Sequence, residues 1–313
     1  MKCRVLMWAV ILFGCMGGDL LAAGAMADAA ANDNALPDLS ALDRRINSEF
    51  SNADNVFAIL PHKPNYLMPV SWNTRPNTDP YSDLEPELSY ELDPVEVNFQ
   101  LSFKVLLVKD LFHNKGVLAF AYTNQSWWQA YNSDISSPFR ETNHEPELML
   151  GYPLGLTMGD FSLSHAVLGL NHQSNGKSGL QSRSWNRIYL SLLISYKHLY
   201  VQIRPWYRIP EARKDSPTDP AGDDNPDIDA YLGNGDLLFI FKPRVDHTVS
   251  LQVRNNLRSG HENRGAVQLT WSFPLHHRLK GYVMYFNGYG ESLIDYNDSV
   301  NRLGIGVSLT DWL

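Results

Sequence analysis

From Val95 to Lys104 the chain alternates without an error. Val95, Val97, Phe99, Leu101 and Phe103 are apolar, and Glu96, Asn98, Gln100, Ser102 and Lys104 between them are polar. Side chains two apart on a strand share a face, so this period gives a ribbon with one oily side and one wet side; helix periodicity cannot produce it. Further candidate strands are 66–72, 117–127, 146–153, 161–174, 184–196, 200–209, 230–242, 248–257, 264–273, 279–289 and 301–313. With 95–104 they number twelve, an even count as bacterial membrane barrels prefer. In the final one Leu303, Ile305, Val307, Leu309 and Leu313 share a face, and Gly304, Gly306, Ser308 and Thr310 share the other. Long polar connections (131–145, 210–229) and tight ones (197–198, 274–277) suit outer loops and periplasmic turns. The pattern predicts an all-β protein, a 12-stranded antiparallel transmembrane β-barrel over residues 66–313.

The first residues read differently. Lys2 and Arg4 precede an apolar run to Gly14 and small residues ending Ala25-Met26-Ala27, the layout of a secretion signal spanning 1–27. A rival reading takes Leu12-Phe13-Gly14-Cys15 as a lipoprotein box, for which Phe is a poor fit. Cys3 and Cys15 both fall inside this signal, so neither disulfides nor thiol chemistry is open to the mature chain. Residues 28–65 form an N-terminal periplasmic segment of uncertain order, with weak helical spacing at Leu39, Leu42, Ile46 and Phe50. Past the signal there is no apolar run of about 18 residues, which leaves a closed barrel as the way to cross a membrane. Trp127, Trp128, Trp185 and Trp206 are candidates for interfacial girdles, ordinary core packing being an equal alternative for each. The net charge of −8 argues against nucleic acid as a partner.

Candidate chemistry is concentrated in LGLNHQSNGKSGLQSRSWNRIYLSLL, residues 168–193. Leu168, Leu170, His172 and Ser174 share one strand face, and Asn186, Ile188, Leu190 and Leu192 share a face of the next strand. The loop 175–183 between them contains two glycines, the composition of a turn. A serine needs a base to become a nucleophile, and the base needs a group that holds its tautomer. Ser174, His172 and Asn186 can fill those roles. By spacing alone, two idle polar residues near a loop explain the pattern as readily. Polar groups interrupting a face of Leu and Ile, however, cost desolvation and call for a reason. There is no Gly-x-Ser-x-Gly esterase motif elsewhere in the chain.

NHQSNGKSGLQSRSWNR resembles the active-site hairpin of the bacterial outer-membrane phospholipase A family. SWWQ (126–129), SSPFRETNHEP (136–146), DDNPDI (223–228) and GYGESLIDYN (288–297) are similar to further blocks of that family, in the same order. The likeness runs from about Val95 to the C-terminus. It implies a calcium-dependent phospholipase of the Gram-negative outer membrane, active as a homodimer on phospholipids of the outer leaflet. It assigns catalysis to His172, Ser174 and Asn186. It assigns Ca2+ binding to the Lys177 carbonyl, the Ser182 hydroxyl and Ser136 of a second copy. Calcium favours such oxygen ligands. The family often has an acidic residue where Gly179 stands, and fewer carboxylates weaken calcium binding. Asp223, Asp224 and Asp227 can compensate, although a solvated outer loop is the plainer reading of them. Asn124 occupies the family's position for a polar residue bonded across the dimer interface, and alternation puts it with Leu118, Phe120 and Tyr122 on the lipid side. Two other classes remain open: a non-enzymatic barrel (pore or adhesin), and a secreted soluble esterase.

Overall fold

The computed structural model describes residues 40–52, 55, 58–82 and 91–313. The expected signal, 1–27, and the first part of the following segment lie outside the described residues. The order of strands is β1 (Leu60–Pro61), β2 (Asn65–Asn73), β3 (Val95–Asp110), β4 (Gly116–Trp128), β5 (Phe139–Met158), β6 (Phe161–Ser174), β7 (Ser184–Tyr196), β8 (Leu199–Ile209), β9 (Gly235–Arg244), β10 (His247–Asn255), β11 (Gly265–His276), β12 (Leu279–Tyr289) and β13 (Ser299–Thr310). Each of β2 to β13 pairs antiparallel with its chain neighbour, and β13 pairs with β2. The sheet therefore closes on itself as twelve strands, and closure removes the exposed edges that an open sheet would present to lipid. The thirteenth, β1, is a two-residue addition against Lys104 and Phe103 of β3.

Alternation fixes which side chains face lipid. On β13, Leu303, Ile305 and Leu309 are exposed on the outer wall, Ile305 by 54 %, while Arg302, Gly304 and Ser308 are buried in the lumen. Leu67, Val70, Leu101, Leu168, Leu170, Leu190 and Leu269 continue this outer face around the barrel. A soluble protein rarely exposes so much contiguous apolar surface, whereas a membrane barrel must.

The lumen is crossed by ion pairs. Arg140 pairs with Glu96 and Asp295, and Arg302 pairs with Glu96 and Glu291. Lys63 pairs with Glu145 and Glu147, and Arg187 with Glu145. Removing one partner from a buried set costs about 3–5 kcal/mol, so these charges hold one another in place. Gly169 makes room for a large neighbour: a Cβ there would meet the Tyr189 ring at 2.2 Å. Tyr189 then reaches inward to donate to Glu147 Oε2 at 2.9 Å.

In the segment before the barrel, helix α1 (Ala41–Ser51) packs on lumenal residues. Ser40 caps it by accepting from the Asp43 N–H. Leu42 is buried against Tyr200, Leu238 and Ile240, and Trp312 and Leu313 pack alongside. Arg45 donates to the carbonyls of Trp312 and of Pro61. All these wall residues lie near the tight turns, so α1 stands at that end of the barrel. For the tryptophans the structure separates the two readings. Trp127 and Trp185 are fully buried and Trp206 nearly so, on the lumenal side. The rings of Trp185 and Trp206 meet edge to face, with the Arg187 guanidinium 3.9 Å from the Trp185 centroid. Core packing, not a girdle, accounts for these three. Trp128 is half-buried, stacked on Phe139.

Candidate active site

Strands β6 and β7 run into the 175–183 loop at the barrel end that carries the long connections 129–138, 210–234 and 290–298. The register between them sets His172 directly opposite Asn186, and Ser174 opposite Ser184. His172 and Asn186 share the outer face with Leu168, Leu170 and Leu190, so the polar groups interrupt the lipid-facing wall near its rim. His172 Nδ1 lies 2.8 Å from Asn186 Oδ1. A carbonyl oxygen can only accept, so this contact places the proton on Nδ1 and leaves Nε2 free as a base. Ser174 is two residues along the same strand face. Among the described residues no hydrogen bond joins it to His172, a contact that tightens in many enzymes only with substrate bound.

The loop is built on Asn175. Its buried side chain accepts from the N–H groups of Lys177 and Arg183 and donates to the Gln181 carbonyl at 2.9 Å. Gly176 and Gly179 carry φ of 65° and 62°, the left-handed backbone that glycine adopts without strain. Lys177 turns its ammonium inward to donate to the Arg140 carbonyl at 2.7 Å, near Glu141 and over the Tyr81 ring. Burial pushes that ammonium below its usual range, with Glu141 opposing. The side chain is thereby committed to the barrel, and only the backbone of Lys177 is left to serve the outer face.

Ser182 and Ser184 both donate to Asp224 Oδ2, at 2.9 and 3.0 Å. The other Asp224 oxygen lies 2.5 Å from Lys214 Nζ. The acidic stretch is thus not an idle solvated loop. Asp223 pairs with Arg208, and Asp227 accepts from the Tyr296 hydroxyl at 2.6 Å. Asn225 adds an acceptor to the Ser184 N–H. The group of oxygens around Ser182 fits a hard divalent cation: hydroxyls and one carboxylate, with a cationic side chain already drawn to them. Among the described residues no group of three or more His, Cys, Asp or Glu is arranged to hold a metal ion, so an ion at Ser182 would rest largely on neutral oxygens.

Two expected residues stand apart from this loop. Ser136 is exposed in the 129–138 connection at the same rim, and no hydrogen bond links it to Lys177 or Ser182 among the described residues. Asn124 is half-buried on the outer face of β4, where its Oδ1 accepts from Ser126 Oγ. Beside it sits a residue that sequence reasoning left idle. His144 pairs in register with both Asn124 on β4 and Ser174 on β6. The Tyr122 hydroxyl and His144 Nδ1 lie 2.6 Å apart, and Asn124 Nδ2 is 3.4 Å from the same nitrogen. The signal for His144 was its parity with Thr142 on the outer face of β5, masked by the charges that alternate with it.

Comparison with known proteins gives one answer. A family model described as phospholipase A1 matches residues 42–309. The match thus begins within α1, earlier than the blocks legible from Val95. The phospholipase A1 of Escherichia coli K12 is 36 % identical over 264 residues, covering 82 % of this chain and 83 % of its own. That of Klebsiella pneumoniae is 35 % identical over 258 residues, covering 82 % and 84 %. Among solved structures, the outer membrane phospholipase A from E. coli superposes with a TM-score of 0.73 at 34 % identity, covering 82 % of this chain and all of that one. The Salmonella typhi outer membrane phospholipase, solved as a dimer with bound calcium, gives 0.72 at 35 % identity, covering 82 % and 94 %. With its closed twelve-stranded wall and these relatives, the chain belongs to the phospholipase A1 family and is an integral outer-membrane enzyme that hydrolyses phospholipids.

Proposed function

We propose that the chain cleaves phospholipid acyl esters (A1, A2 and lysophospholipase positions) with a Ser174–His172–Asn186 relay on the outside of the barrel, with calcium as its cofactor and a homodimer as its active form. The observation that carries this is the 2.8 Å contact between His172 Nδ1 and Asn186 Oδ1 on a wall otherwise made of leucine and isoleucine. A tautomer-fixing hydrogen bond facing hydrocarbon has no structural need there, since it costs desolvation of both groups.

His172 Nε2 takes the Ser174 hydroxyl proton as Ser174 Oγ attacks the ester carbonyl. The alcohol portion of the lipid leaves with that proton, and the acyl group stays on Ser174. Water, deprotonated by His172, then attacks the acyl-serine and releases the fatty acid. Asn186 holds the imidazole in the productive tautomer and turns its protonated form toward an acceptor. The Ser174 N–H is a donor for the oxyanion. The Lys177 carbonyl, Ser182 Oγ and Asp224 would hold the metal, joined by Ser136 of a second copy. Bound calcium would supply Lewis-acid stabilisation of the negative charge that develops on the ester oxygen.

This reading explains how an enzyme embedded among its own substrates is restrained. A single chain lacks Ser136 at its own metal loop, so the site is complete only when two copies meet. Asn124 faces lipid beside Tyr122 and His144, a polar group positioned to bond across such an interface. The pore alternative is opposed by the ion-paired lumen and by α1 at one mouth.

Acyl hydrolysis in detergent micelles tests the assignment. Ser174→Ala lowers kcat by on the order of 10³-fold or more, as removal of a serine nucleophile does. A chelator abolishes turnover by the native chain, and calcium restores it. Full activity in Ser174→Ala removes this serine from the mechanism.

A further inference from the structure

The weak point of a Ser-His-Asn relay is its third member. An amide is neutral, and it can rotate to present either its oxygen or its nitrogen to the imidazole. If Nδ2 faced His172 Nδ1, the imidazole would keep its proton on Nε2 and could not take one from Ser174. Something must hold the amide one way round.

Asn186 has a second partner. Its Nδ2 donates to Glu211 Oε1 at 3.1 Å, on the side away from His172. Glu211 lies just past the end of β8, where Ile209 pairs with Asn186, at the start of the 210–234 connection. It is half-buried and forms no salt bridge among the described residues. A carboxylate accepts and cannot donate. It therefore admits only Nδ2 on its side of the amide, which leaves Oδ1 for His172. The orientation of Asn186 follows from the chemistry of its two neighbours, independently of how the amide atoms are told apart.

We propose that Glu211 is a positioning residue of the relay: it locks the Asn186 amide with its oxygen toward His172, so that the active site works as a Ser-His-Asn-Glu chain. This rests on the relay put forward above. It adds a fourth group, from a loop whose sequence gave no sign of it. Glu211 touches neither substrate nor the reacting atoms; it acts only through Asn186. Lacking an ion-pair partner of its own, its carboxylate is free to serve this one contact.

The test compares Glu211→Ala and Glu211→Gln with the native chain, refolded in detergent at saturating calcium, reading kcat and KM separately. Glu211→Ala lowers kcat about tenfold with KM unchanged, in line with the loss of a group that orients a site residue. Glu211→Gln keeps an acceptor at the same place and stays within about threefold of native kcat, which also guards against a mere folding defect. The same pair of changes is then made in Asn186→Ala, where Glu211 has nothing to hold and its removal has no further effect. Native kcat in Glu211→Ala overturns the proposal, as does a rise in KM alone. A full additional loss in the Asn186→Ala background shows that Glu211 acts elsewhere and overturns it too. Failure of the underlying relay reads differently: Asn186→Ala would itself retain native kcat.

Discussion

At the scale of single residues, the site depends on small polar contacts in a place that disfavours them. His172 is exposed on a lipid-facing wall, and among the described residues its side-chain hydrogen-bond partner is Asn186. On the proposed relay, Asn186→Ala leaves the nucleophile and base in place but removes the group that fixes the tautomer. We expect kcat to fall by about 10²-fold, less than for Ser174→Ala, because triad members differ in this way. Steady-state hydrolysis in micelles decides; an equal loss in both variants means that Asn186 does more than orient. That His172 and Ser174 share a strand face was legible from parity, and the register of β6 with β7 adds Asn186 to it; their roles came only from the family resemblance. The buried tryptophans were half legible. Trp127 shares parity with Ala119 and Ala121, and Trp185 with Arg187 and Tyr189, so both belong inside. What misleads is that a barrel lumen also buries aromatics when cations such as Arg187 lie against them. Glu211 was illegible, and Asp224 was legible only as one of three acidic residues able to compensate at the metal loop, because where a long loop folds back leaves no periodic signal.

At the scale of elements, that loop is the part of the site with the most consequence. Its first residues reach two places at once: Glu211 meets Asn186, and Lys214 meets Asp224 beside Ser182. Lys214 puts a tethered positive charge where the proposed calcium ion would bind. It occupies one oxygen of the carboxylate that accepts from Ser182, and it repels an incoming cation. Both side chains of this pair are largely buried, and removing Lys214 frees that carboxylate oxygen and lifts the repulsion, so Lys214→Ala should tighten calcium binding by about fivefold or more. Titration calorimetry of the refolded chain measures this without turnover, and Lys214→Arg serves as the charge-keeping control. Unchanged or weaker binding in Lys214→Ala would mean that the ammonium does not compete. Strands were far easier to read than this loop. The ends of β6, β7 and β12 coincide with the alternation, whereas β5 extends to Phe139–Met158 beyond the expected 146–153. Its added residues include Arg140, Glu141 and Glu145, charges that look like loop but point into the ion-paired lumen. Helix α1 was missed as a packed element because eleven residues with one buried leucine carry little periodic signal.

At the scale of the molecule, the barrel is a wall whose working surface is outside. Its lumen is braced by ion pairs, and α1 stands at the tight-turn end, so nothing about it calls for transport. If the active form is the proposed homodimer, the functional question is how two copies would meet. Most homodimers are two-fold symmetric, with the same patch used on both sides. In such a pair each metal loop would take Ser136 from the other copy, and each copy would give its own Ser136 away. This makes a sharp prediction about mixtures. Ser136→Ala chains keep Ser174 but supply no Ser136 to a partner, so their own dimers are weakened. Ser174→Ala chains supply Ser136 but have no nucleophile, so their dimers are inactive. In a mixed dimer the Ser136→Ala copy receives Ser136 from its partner and has its own Ser174, giving one complete site. Random pairing of equal amounts makes about half of all dimers mixed, so activity should recover to about a quarter of native per chain. The measurement is acyl hydrolysis after the two variants are denatured together and refolded in one detergent pool with calcium. Activity no greater than the sum of the two variants refolded apart would show that Ser136 serves its own chain or none, and the shared site would have to be abandoned.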